Sequence, residues 1–81
     1  MFKNKSLHGK NNLCGSKVFE LRKRADPKMS QRILAEKLQL SGIDVDKNAI
    51  QRIESGDRFV TDIELKVLAE VLNVSVDELL N

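Results

Sequence analysis

The chain has 81 residues, 41% of them hydrophobic, with Phe2, Phe19 and Phe59 as its only aromatic residues, a size that supports one small core and one domain. One cysteine, Cys14, and one histidine, His8, leave no intramolecular disulfide and no Cys/His zinc site, so helix packing must hold the core. The net charge of +2 conceals an asymmetry: residues 1–40 carry ten Lys/Arg against three Asp/Glu and residues 41–81 four against nine, which suggests one positive face able to attract a polyanion.

Residues 1–12 are polar, rich in Lys and Asn, and without periodicity, and are expected to form a flexible basic N-terminal arm. Their positive charge is followed by no apolar run, so neither a signal peptide nor a membrane span is expected, and a cytoplasmic protein is the simplest reading. The folded domain is expected over residues 13–81. A first helix from Leu13 to Arg24 places Val18, Leu21 and Ala25 on one face. "ADPK" ends it, because Pro27 disfavours helix at Asp26 and has no amide to donate.

Ser30 is a good N-cap for "QRILAEKL", whose inward stripe is Leu34, Ala35 and Leu38, with Ile33 projecting off it. The connection that follows, Leu40 to Lys47, is expected to fold Ile43 and Val45 onto the core. Asp44 or Asp46 can cap the third helix, and Gly56, the residue that most easily turns left-handed, closes it. "TDIE" and "SVDE" both read as capping boxes, Thr61 with Glu64 and Ser75 with Glu78, each opening a further helix. The fourth helix has the main stripe Leu65, Leu68, Ala69 and Leu72, and the fifth Val76, Leu79 and Leu80. A second stripe on helix four, Ile63, Val67 and Val71, is either a contact with helix one or five or a surface for a partner. The fold class is therefore all-α, five short helices around one core.

The third helix is divided by chemistry. At about 100° per residue, Ala49, Ile50 and Ile53 share one side, and Lys47, Asn48, Gln51, Arg52 and Ser55 the other. A solvated face usually carries Glu and Lys, whereas this one presents amide and guanidinium groups. Catalysis lacks parts: His8 lies in the polar arm and Cys14 near a helix start, a position that can lower a thiol pKa, and no nucleophile is paired with a base. No catalytic residue, metal site, cofactor or small-molecule substrate is expected.

The order "SQxxLAxKL", "IxRIExG" and "DIELKVLAEVLNVSVDELL" resembles the Cro and phage-repressor (XRE-type) family of helix-turn-helix proteins, over roughly Val18 to Leu80. The resemblance implies the lambda-repressor-like fold, with helix three in the major groove of double-stranded DNA and helix two across the backbone. Aligned on Ile50 and Glu54, the family's base-contacting positions fall on Lys47, Asn48 and Arg52, with Gln51 beside them as a base or phosphate contact. Gln31 matches the family's phosphate grip at the start of helix two, and Arg58, just past Gly56, is a further phosphate candidate. Glu54 matches an acid that pairs with a base of helix one, here Arg22 or Arg24. The connection after helix two exceeds the usual turn of about three to four residues, which allows helix three a different tilt. The resemblance further implies a minimal regulator of the phage or mobile-element kind, a repressor. One module of this size reads only a few base pairs, so a homodimer on a palindromic site is expected, with the Ile63, Val67 and Val71 stripe or the end of helix five as its interface. The alternative is a protein-interaction module of the same fold that holds a polypeptide on helix four or five, for which an acidic or apolar face in place of the amide-rich one would be expected.

Overall fold

A computed structural model describes residues 9–81; residues 1–8, with Phe2 and His8, lie outside the described part. Five helices follow in order: α1 (Gly15–Arg24), α2 (Gln31–Leu40), α3 (Lys47–Ser55), α4 (Asp62–Leu72) and α5 (Val76–Leu80), with no strand among the described residues. The fold is thus all-helical, as the pattern implies, and the lambda-repressor-like one that the resemblance implies.

Local chemistry sets most of the helix ends. Ser30 accepts from Ile33 N–H at 3.1 Å, and of the two candidate aspartates it is Asp46 that caps α3, accepting from Ala49 N–H at 2.8 Å. Gly56 takes φ +88°, and the bonds Gly56 N–H to Ile53 O (3.0 Å) and Asp57 N–H to Arg52 O (2.8 Å) close α3 as a Schellman turn. Both capping boxes form, Thr61 with Glu64 and Ser75 with Glu78.

Packing follows from the stripes. The α2 and α3 helices lie against each other, α1 and α4 close the sides, and α5 rests on α1 and α4. Val18, Leu34, Ala35, Leu38, Ala49, Ile50, Ile53, Leu68, Ala69 and Leu79 are buried. The connection between α2 and α3 is anchored as expected. Val45 is buried, Ile43 packs on the core, and Gln39 Nε2 donates to Val45 O at 2.7 Å. Ile33 stays half-buried outside the core.

Four expectations are corrected. Helix α1 begins at Gly15, after an N-cap residue, Cys14, whose side chain makes no capping bond; Asn12 Oδ1, further upstream, accepts from Gly15 N–H (2.8 Å), and Leu13 is exposed. Of the arm expected over residues 1–12, residues 1–8 lie outside the described residues, and Lys10, Asn11 and Asn12 are bonded to the end of α3 and to the loop beyond. Leu80, expected in the inward stripe of α5, is exposed, since a helix of five residues turns only one narrow side to its neighbours. The second stripe of α4 divides, with Val67 and Val71 packed on the core and Ile63 in solvent.

Helices α1 and α3 meet closely at Gly15, where an added Cβ would collide with the carbonyl oxygen of Ile53. Gly15→Ala should therefore destabilise the domain by roughly 1–3 kcal/mol through overpacking. Ile53→Ala, which empties a fully buried site beneath α3, should cost roughly 2–5 kcal/mol. Thermal and urea melts of both variants check these values.

Candidate nucleic-acid interface

The α3 helix turns Ala49, Ile50 and Ile53 into the core and leaves Lys47, Asn48, Gln51, Arg52 and Ser55 exposed. Among the described residues, the side chains of Lys47, Asn48, Gln51 and Arg52 have no hydrogen-bond or ion-pair partner, so their donors and acceptors face solvent together. Four predicted site residues are thereby brought onto one outer surface. Ser55 is occupied locally, its hydroxyl donating to Arg52 O at 3.1 Å.

The helix that carries this face is tied down by a buried ion pair. Arg22 Nε donates to Glu54 Oε2 at 2.6 Å and Arg22 Nη2 to Glu54 Oε1 at 3.0 Å, with side chains 9% and 5% exposed. Arg22 Nη1 donates to Met29 O at 3.2 Å, and its guanidinium lies 5.5 Å from the centroid of the Phe19 ring. Of the two basic candidates for Glu54, Arg22 is the partner. Arg24 is exposed and lies 3.9 Å from Glu20.

Gln31 joins the same pair, its Nε2 donating to Glu54 Oε1 at 3.0 Å. One N–H of the side chain is thus turned inward, towards α3. What the start of α2 offers outward is its first backbone amides, since Ser30 takes only the third. Arg58 is more fully engaged: Nη1 and Nη2 reach Glu64 Oε1 and Oε2 at 3.0 and 3.1 Å, and Nη1 also donates to Phe59 O. It lines one shallow groove with Arg52, Asp44 and Asp46, with its charge already answered by Glu64.

The hydrogen bonds from Arg58 hold the Glu64 carboxyl below its usual range, burial opposes them, and the Thr61 amide adds to the lowering. The same bonds raise Arg58, which stays charged. Burial has the contrary effect on Cys14: it pushes the thiol up, as suits a small side chain packed in the core. Sequence reasoning missed the attachment of Lys10, Asn11 and Asn12 to α3. The half of Asn12 that meets Gly15 N–H had a signal, since an Asn side chain commonly accepts from a backbone amide a few residues along the chain. The half that reaches Ile53 and Arg58 had none, because those residues are distant in sequence.

Glu64 has a folded-state pKa below its unfolded value of about 4.5, so its contribution to stability is fully present above that pH and is lost as pH falls through the lower, folded value. Melting temperature should therefore fall less steeply with acidification for Glu64→Gln than for the parent, the two differing most above about pH 4.5 and converging in stronger acid. A series of melts from neutral to acid pH measures this directly.

A family model described as helix-turn-helix matches residues 20–79. No curated protein and no solved structure matches the chain. Among the described residues no helix is long and apolar enough to cross a membrane. With the matched segment running from the middle of α1 through α5, the chain belongs to the Cro and phage-repressor (XRE-type) family of helix-turn-helix DNA-binding regulators.

Proposed function

We propose that the protein is a sequence-specific transcriptional repressor that acts in the cytoplasm and reads the major groove of double-stranded DNA with α3. One observation carries this reading: Lys47, Asn48, Gln51 and Arg52 stand exposed and unpartnered on a helix whose opposite side is buried and whose last turn is held by Arg22. Arg or Lys pairs with guanine O6 and N7, and Asn or Gln with adenine N6 and N7, so the four offer both kinds of readout. The amides at the start of α2, with the Gln31 side chain beside them, take a backbone phosphate and set the register. Arg58 joins the phosphate contacts by exchanging Glu64 for a phosphate oxygen.

The direct test is binding of variants to the preferred site and to single-base changes of it. Arg52→Ala and Asn48→Ala should each keep the fold and lose ~1–3 kcal/mol of discrimination at one base position. Gln31→Ala should weaken binding to all sequences about equally. Wild-type base preference in both α3 variants would show that another surface reads the sequence.

One domain of this size reads few base pairs, so we propose a symmetric dimer on a palindromic site, with half-sites about 34 Å apart. The exposed Ile63 of α4 and Leu80 of α5 are candidate contacts between copies. Sedimentation with a palindromic duplex should give two chains per duplex at saturation. A single bound chain would refute the dimer.

A further inference from the structure

The segment ahead of α1 is fastened to the end of α3. Lys10 Nζ donates to Ser55 O (2.8 Å), Asn11 N–H to Gly56 O (2.8 Å) and Asn11 Nδ2 to Asp57 O (2.7 Å). Asn12 lies half-buried between the two helices, and its Nδ2 donates to both Ile53 O (3.1 Å) and Arg58 O (2.7 Å). Its Oδ1 accepts from Gly15 N–H at 2.8 Å. One amide group therefore meets the first N–H of α1 and, with both its donors, spans the Schellman turn that closes α3. The last carbonyls of a helix carry partial negative charge and lack helical donors, so a side-chain amide suits that place.

Ile53 O is also the atom against which Gly15 packs too closely for a Cβ. The Asn12 clamp therefore sits where α1 lies too close to α3 to admit a side chain at Gly15. Glu54 ties α3 to its neighbours through a side chain, and Asn12 ties the backbone of the same turn. A helix held at both points cannot slide along its axis or roll about it without breaking one of them.

We propose that Asn12, half-buried between α1 and α3, is a positioning residue for α3: its two donors help to set the axial position and roll of the helix, and so which base edges Lys47, Asn48 and Arg52 reach. The inference rests on the reading of bases by α3 proposed above. Bidentate pairing needs each donor within hydrogen-bond distance of its acceptor, and a displacement of about 1 Å is enough to lose it.

Two variants separate the halves of the clamp. Asn12→Ser keeps an oxygen for Gly15 N–H and loses both donors to α3; Asn12→Asp also keeps the acceptor and turns a carboxylate oxygen towards two carbonyls. Ser75→Ala, which removes the cap of α5 far from α3, is the control for lost stability alone. Amide hydrogen exchange at Gly56 and Asp57 is followed on the free proteins. Base preference is then measured at a temperature at which every variant is folded. Both Asn12 variants should exchange faster at Gly56 and Asp57 and lose about tenfold in preference for the correct base, within the worth of one bidentate contact. Ser75→Ala should do neither. Unchanged exchange in Asn12→Ser would overturn the clamp, and wild-type base preference in folded Asn12→Ser, while Arg52→Ala loses it, would overturn the positioning role alone. Wild-type preference in both Arg52→Ala and Asn48→Ala would overturn the reading by α3 and the positioning role with it.

Discussion

Where α1, α2 and α3 converge, Arg22 and Glu54 lie almost wholly out of water, joined by two N–H to O bonds, with Gln31 and the Met29 carbonyl meeting their remaining polar atoms. Withdrawing two charges from water costs several kcal/mol, and the attraction between them offsets this only when each polar atom is answered. Here they are answered by groups from three different elements. What such a pair contributes is less stability than uniqueness. Ala49, Ile50 and Ile53 pack through non-directional apolar contacts, whereas the two charges are held by directional hydrogen bonds. That pair helps to orient the outer face of α3, because inner and outer faces belong to one turn of backbone.

The charge asymmetry of the chain acquires a structural meaning from this. Many of the acids of the second half act within the fold: Asp46 caps α3, Glu54 holds Arg22, Glu64 caps α4 and holds Arg58, and Glu78 caps α5. Asp62 and Asp77 stand in the first turns of α4 and α5, where the helix dipole favours negative charge. Acids used in this way do not cancel Lys47 and Arg52, which stay unpaired on the outer face of α3. A modest net charge is thus compatible with a locally cationic surface suited to a polyanion.

How much was legible depended on the range of the interaction. Ser30, Thr61, Ser75 and Gly56 were read correctly because a cap or a left-handed closure involves groups within a few residues of each other. The buried stripes of α2 and α3 were read from spacing for the same reason. Leu80 and Ile63 were not, since periodicity shows which residues share a side but not how wide a side the neighbouring helices cover. The attachment of Asn11 and Asn12 to Asp57 and Arg58 spans 46 residues, and Lys and Asn in a polar stretch look the same whether solvated or bonded.

By itself, the sequence determined five helices, the caps of α2, α4 and α5, the glycine stop of α3, the two faces of α3 and the family to which the chain belongs, because each rests on local spacing or on a long ordered motif. Only the tertiary structure decided that Arg22 rather than Arg24 meets Glu54, that Gln31 and Arg58 are partly occupied by carboxylates, and that Asn12 bridges α1 and α3. Those outcomes depend on which of several chemically equivalent side chains comes within about 3 Å of a partner far along the chain, a distance set by how the helices pack and not by any one of them.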